Sequence, residues 1–266
     1  MKTMANGLVR YEVDAHGVAT IELHNPPANA YSVEMMRDLD EAILEARFDD
    51  AVHVILLTGA GEKFFCAGAD IAMLGSVTPR FKYYFCLHAN ETMLRIENTS
   101  KLVIAALEGH CVGGGLEIAL AADLRVAARG TGKVGLPEVA LGVLPGTGGT
   151  QRLTRVVGKA RAMELMCEGA LIDFDRAAEL GLVNHVWERE GFLDRAREYA
   201  RSFCPPNKAS MAVGHIKRAV SAGGEMSLEH GLALERELQQ RLFESADAAE
   251  GIGAYNEKRK PEFKGR

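Results

Sequence analysis

No run in the chain approaches the roughly 18 consecutive apolar residues that a membrane-crossing helix requires. The first 14 residues lack the apolar core of a secretion signal. The expectation is a cytoplasmic protein with no membrane partner. Cysteine is sparse: Cys66, Cys86, Cys111, Cys167 and Cys204 are scattered, odd in number and form no C-x-x-C. That argues against a disulfide framework or a zinc site and fits reduced thiols used as small apolar fillers. A basic stripe is also missing, and the formal net charge is −5 at pH 7, so no nucleic-acid partner is expected. Neither G-x-G-x-x-G nor G-x-x-x-x-G-K-[ST] occurs, which removes the usual loops for dinucleotides and nucleotide phosphates. H-E-x-x-H and G-x-S-x-G are absent, the eight histidines show no ligand spacing, and no serine has an evident catalytic partner. No metal is expected. Repeats and low-complexity tracts are lacking as well. What remains is a chain with 47% hydrophobic and 25% charged residues, enough to build a sizeable globular core.

Segments 8–13 and 18–23, apolar or alternating around Asp14-Ala15-His16-Gly17, predict a β-hairpin. Ser32 is a candidate N-cap for a helix over 34–47. Residues 52–58 read as a buried strand, 80–98 as a long helix, 102–107 as a second buried strand, 116–122 as a buried helix and 124–128 as a short strand. Strand, small-residue turn and helix thus follow one another twice, around 52–74 and 102–121. Such units stack either into a spiral or into an ordinary α/β sheet, and periodicity does not separate the two. Helices are expected over 150–157, 159–168 and 173–180, stopped by Gly158, Gly169 and Gly181, with a strand over 183–187. Beyond Pro205-Pro206 the pattern is helical over 208–222, 227–243 and 246–258. This divides the chain into a core, 1–204, and a helical segment, 205–266. Three amphipathic helices of this length pack on the core or on another subunit.

The chemistry concentrates in 109–149, which holds three consecutive glycines, two glutamates among apolar neighbours and a second glycine cluster. Gly113, Gly114 and Gly115 stand where a strand gives way to a helix. The free N–H groups of a first helical turn and the helix dipole stabilise negative charge there. Glu117 lies about one turn further on, on the same face. Its neighbours Leu116, Ile118, Ala119 and Leu120 leave little polar surface, which argues against a merely solvated glutamate. Glu138 follows Pro137 and precedes an apolar run, a setting that can raise a carboxyl pKa toward neutrality. Taken alone, Glu138 reads better as a loop residue in solvent.

Phe65-Cys66-Ala67-Gly68-Ala69-Asp70-Ile71, Gly113-Gly114-Gly115-Leu116-Glu117, Gly135-Leu136-Pro137-Glu138 and the run from Leu144 to Leu153 occur in order. Together they resemble the enoyl-CoA hydratase/isomerase (crotonase) family, and the resemblance extends from Val18 to Phe263. It implies an α/β fold, a spiral of ββα units with a C-terminal helical trimerisation region, and homotrimers or hexamers built as dimers of trimers. It implies an acyl-CoA substrate, with coenzyme A as part of the substrate and no separate cofactor. Carried over by position, the oxyanion hole is the N–H groups of Ala69 and Gly114, and the acid–base pair is Glu117 and Glu138. Ala30, Ala67, Gly68, Asp70, Ile71 and Gly115 fall at substrate-binding positions. Tyr255 and Lys258 match C-terminal positions that reach CoA, in the same subunit or a neighbouring one. Three departures stand out: one extra residue within 129–133, one fewer before Ala30, and Ala72 in place of a CoA-contacting lysine.

The implied activity is reversible syn addition of water to a 2-trans-enoyl-CoA, with Glu117 as base toward water and Glu138 as acid toward C2. A Δ3,Δ2-enoyl-CoA isomerase is the alternative, although it needs only one such base. A non-enzymatic, RNA-binding relative is disfavoured by the acidic balance. Candidate acyl-pocket walls are Met73, Leu74, Phe81, Phe85 and Leu141.

Overall fold

In the computed structural model, which describes residues 1–266, an edge strand β1 (Lys2–Thr3) leads into an antiparallel hairpin, β2 (Val9–Val13) and β3 (Val18–Leu23). Helix α1 (Val33–Phe48) starts where Ser32 accepts a hydrogen bond from the Met35 N–H, and it buries Met35, Met36, Leu39, Ala42, Ile43 and Ala46. Asp38 on the same face is fully buried but satisfied, accepting from the N–H groups of Asn6 and Leu8, both at 2.9 Å.

From here each turn of the chain lays one strand in a large sheet and one in a small sheet. The first turn is β4 (Val54–Gly59) and β5 (Phe64–Cys66), followed by α2 (Ile71–Ser76) and α3 (Pro79–Asn98). The second is β6 (Leu102–Leu107), β7 (His110–Val112) and α4 (Gly114–Ala121). A third, not foreseen as a unit, is β8 (Leu124–Ala128), β9 (Lys133–Gly135) and a 3₁₀ turn over Glu138–Leu141. The chain continues through α5 (Gly149–Val157), α6 (Lys159–Glu168), β10 (Ile172–Asp173), α7 (Phe174–Glu179), β11 (His185–Trp187) and α8 (Phe192–Arg201). The large sheet runs β1-β2-β3-β4-β6-β8-β11 and the small one β10-β9-β7-β5. Strand pairs from β3 to β11 in the first sheet, and β5-β7 and β7-β9 in the second, are parallel. This is the spiral, and the ordinary single sheet is ruled out. β4 and β6 are buried along their whole length, as parallel strands covered on both faces must be.

Helix α8 was not anticipated. Phe192, Ala196 and Ala200 form a buried stripe against the back of the large sheet, while half of its residues are charged. An apolar face made mainly of alanine is a weak periodic signal.

The C-terminal segment consists of α9 (Ser210–Gly223), α10 (Leu228–Phe243) and α11 (Ala246–Glu257). It is pinned to the core through a buried lysine. Lys217 Nζ meets Asp123 Oδ2 at 2.8 Å and donates to the carbonyls of Ile96 (2.9 Å) and Lys101 (3.1 Å). Asp247 then ties down the chain end, accepting from the N–H groups of Lys264 and Gly265, both at 2.7 Å. No helix is long and apolar enough to cross a membrane.

Candidate active site

The site forms where the small sheet ends. Gly113 closes β7 by donating its N–H to the Gly135 carbonyl at 2.9 Å, then turns the chain with φ +56° directly into α4. A side chain at that φ is strained, so glycine suits the turn. Gly114 opens the helix, and its N–H therefore has no acceptor within it. The neighbouring strand supplies a second free donor. The Tyr31 N–H donates to the Gly68 carbonyl (2.9 Å) and the Asp70 N–H donates to the Tyr31 carbonyl (3.0 Å). Ala69, bracketed by these bonds, keeps its own N–H without a backbone acceptor. A methyl on Gly68 would sit 3.0 Å from the Gly114 nitrogen, so the two segments are in close approach.

Glu117 lies on the first turn of α4, only 2% exposed. Its Oε1 accepts from the N–H groups of Thr147 and Gly149, both at 2.8 Å, and its Oε2 accepts a short hydrogen bond from the Thr147 hydroxyl. Three donors and no other acceptor hold this carboxyl group in place. Glu138 begins the 3₁₀ turn after β9, part-buried rather than solvated, and its Oε2 has no hydrogen-bond partner. A methyl on Gly113 would lie 3.2 Å from Glu138 Oε1, so this carboxyl sits against the same glycine turn. Burial, with the charge of Glu117 adding to it, pushes the Glu138 pKa up to about 7, against the downward pull of a hydrogen bond from its own backbone N–H and a weaker one from Lys82. An acid poised near neutrality is suited to proton transfer.

One cavity of about 500 Å³ is lined by Glu117, Glu138, Ala67, Gly68, Ala69, Ile71 and Gly114. Two donors able to receive an oxyanion and two carboxyls therefore face a single space. Three positions expected at the substrate do not line it. Ala30 uses its carbonyl to accept from Asn25 Nδ2 at 2.6 Å. Asp70 caps α2, accepting from the N–H groups of Ala72 (2.8 Å) and Met73 (3.1 Å). Gly115 is pressed against the Cys66 carbonyl. Tyr255, 83% exposed, and Lys258, at the end of α11, are also outside this cavity. Of the expected acyl walls, Leu74 and Leu141 line it, whereas Met73, Phe81 and Phe85 do not. Met73 packs on the core, Phe81 is exposed, and Phe85 is buried in a stack with Tyr31 at 5.5 Å. Cys66 and Cys111 are buried register partners, and burial pushes the Cys66 thiol up to about 12, so it stays an inert filler.

Among the lining residues to which the sequence reading gave no role are two that carry hydroxyls deep in the site, Tyr31 and Thr147. Tyr31 follows Ala30 and Thr147 lies within the Leu144–Leu153 run, but nothing local marks either hydroxyl as part of a site. A larger cleft of about 720 Å³ lies alongside. Its charges are spent on one another, Arg152 with Glu97 and Arg155 with Glu225, both at 2.7 Å, so it offers no reactive group.

Comparison with known proteins agrees with this geometry. Residues 14–266 match the family model described as enoyl-CoA hydratase/isomerase. A solved structure of an enoyl-CoA hydratase from Geobacillus kaustophilus HTA426 superposes with a TM-score of 0.95 at 45% identity, covering 100% of this chain and 98% of that one. A probable enoyl-CoA hydratase of Rhizobium meliloti is 41% identical over 94% of this chain and 95% of its own length. The short-chain-enoyl-CoA hydratase of Clostridium acetobutylicum is 38% identical, with the same coverage of both chains. A fold that brings two carboxyls and two free N–H groups to one cavity, matched over nearly its whole length, places the chain in the enoyl-CoA hydratase/isomerase family.

Proposed function

We propose that the protein is an enoyl-CoA hydratase, adding water reversibly and syn to a 2-trans-enoyl-CoA to give a 3-hydroxyacyl-CoA. The observation that carries this reading is the convergence of two glutamates, one of them with a pKa near 7, on a cavity that also holds two free backbone donors. The thioester oxygen accepts from the Ala69 and Gly114 N–H groups at about 2.7–3.1 Å, where enolate charge develops. The dipole of α4 adds to that stabilisation. A water bound between the carboxyls loses a proton to Glu117 and adds to C3, and Glu138 delivers a proton to C2. Dehydration runs the same steps backward. Isomerisation needs one proton-transfer group, and two carboxyls on the cavity favour hydration.

The remaining positions are assigned by the same reading. Tyr255 on α11 and Lys258 at its end do not line the cavity of their own chain, and we assign them to the CoA end of a neighbouring subunit. Exposed Leu228, Leu232 and Phe243 on α10 supply an apolar face for a trimer.

Crotonyl-CoA and a 3-enoyl-CoA, followed at the enoyl-thioester absorbance, separate hydration from isomerisation. Glu117→Gln and Glu138→Gln should each lose roughly two to four orders of magnitude in crotonyl-CoA hydration while still binding acyl-CoA. Full hydration by either variant overturns the assigned roles.

A further inference from the structure

The two oxygens of Glu117 are held in different ways. Both in-plane lone pairs of Oε1 are occupied by main-chain N–H groups, Thr147 and Gly149 at 2.8 Å, and an N–H cannot turn round to accept. Oε2 accepts only from the Thr147 hydroxyl and keeps one lone pair free. A proton taken from water therefore belongs on Oε2, and the Thr147 rotor decides which way the free lone pair of Oε2 faces.

That rotor has a further neighbour. Thr147 Oγ1 lies 3.3 Å from Tyr31 Oη. The single hydroxyl hydrogen of Thr147 is committed to Glu117, so Tyr31 is the donor in this contact. Burial raises the Tyr31 pKa well above its ordinary value, which keeps the phenol protonated and able to donate. Tyr31 has little freedom to leave. It is 2% exposed, its ring stacks on Phe85, and its backbone makes the two bonds that bracket Ala69. Its ring also occupies the space beside Gly114, where a methyl group would collide with it. One residue thus touches the Ala69 segment through its backbone, and Gly114 and the hydroxyl that serves the base through its ring and phenol.

We propose that Tyr31 is a positioning residue for Glu117, acting through Thr147 in a one-way hydroxyl chain that aims the free lone pair of Oε2 at the substrate water. This rests on the hydratase reading. At 3.3 Å the phenol contact is long for an O–H···O bond, so its share is modest and lies in turnover rather than in binding.

The test is a set of four variants, Tyr31→Phe, Thr147→Val, the double variant and Thr147→Ser, assayed for kcat and KM with crotonyl-CoA and for binding of unreactive butyryl-CoA. Tyr31→Phe should lower kcat about three- to tenfold and Thr147→Val about tenfold or more, the scale of a lost hydrogen bond to a charged group. KM and butyryl-CoA affinity should stay near wild type. Thr147→Ser should recover most of what Thr147→Val loses, and Tyr31→Phe should add no further loss once Thr147 is valine. Additive losses, a Thr147→Ser variant as poor as Thr147→Val, or Tyr31→Phe with wild-type kcat would overturn the proposal while leaving the hydratase reading intact. A wild type that hydrates no enoyl-CoA overturns both.

Discussion

Replacing Glu138 by glutamine should make the protein more stable above neutral pH and leave it inert. Glu138 Oε2 is buried without a partner, and burial together with the charge of Glu117 raises the pKa from 4.5 to about 7. In the unfolded chain the same carboxyl titrates near its ordinary value of about 4.3. Because the folded value is the higher of the two, the proton favours the folded state. That contribution is complete below about pH 4.5 and is lost as pH rises through 7. Taken in full, the shift corresponds to about 3 kcal/mol. The side chain is only part-buried, and solvent screening brings this to roughly 1–2 kcal/mol. Glutamine has nearly the same shape and no charge at any pH. Relative to wild type, Glu138→Gln should therefore gain about 1–2 kcal/mol between pH 5 and 8.5, or roughly 2–6 °C in Tm for a chain of this size. Urea unfolding of both proteins at both pH values measures this, at one fixed protein concentration because association shifts the midpoint. Comparing the two pH values cancels whatever else the amide does. An equal difference at pH 5 and pH 8.5, or a variant that loses ground at pH 8.5, refutes the electrostatic account of Glu138.

Three further outcomes follow from the geometry. Gly114→Ala puts a methyl group into the Tyr31 ring, so the ring or the Gly114 N–H must shift. Turnover should drop roughly 10²-fold, the cost of one oxyanion donor, and wild-type kcat would count against that donor. Hydration consumes no net proton, so in the proposed mechanism the glutamate pair would work with one shared proton in both directions. kcat/KM for hydration and dehydration should fall together by about tenfold per pH unit above about 7, and profiles that fail to superimpose would break the pairing. Lys217→Met removes the cation from a contact in which its side chain is 2% exposed and leaves the part-buried Asp123 without its counter-charge, held only by the Val103 N–H. The loss should be roughly 3–5 kcal/mol in urea unfolding, and an unchanged midpoint would show that α9 is held by something else.

The hairpin, the capped helix α1, the buried strands β4 and β6 and the three C-terminal helices were all legible in the sequence, because each is long enough for its apolar period to repeat. Strands β5, β7 and β9 are three residues each, too short for alternation to register, and they form the small sheet on which the site is built. The glycine triplet and Glu117 stood out because a charge among Leu116, Ile118 and Ala119 conflicts with its surroundings. Glu138 carried a weaker signal, since a loop glutamate after proline is ordinary until its burial is known. Tyr31 carried none. An aromatic residue before a helix cap reads as core, and its working neighbour, Thr147, is 116 residues away along the chain.

What the amino-acid order determined by itself is local: where backbone turns, where apolar faces repeat, and which few charged side chains sit among apolar neighbours. The tertiary structure alone decided that Ala69 and Gly114 leave their N–H groups free side by side, that Glu138 loses water while Glu117 gains three donors, and that the Tyr31 phenol reaches Thr147. Hydrogen bonds and desolvation act only over a few ångströms. Residues far apart in the chain acquire a joint chemistry only once packing of the two sheets brings them within that range.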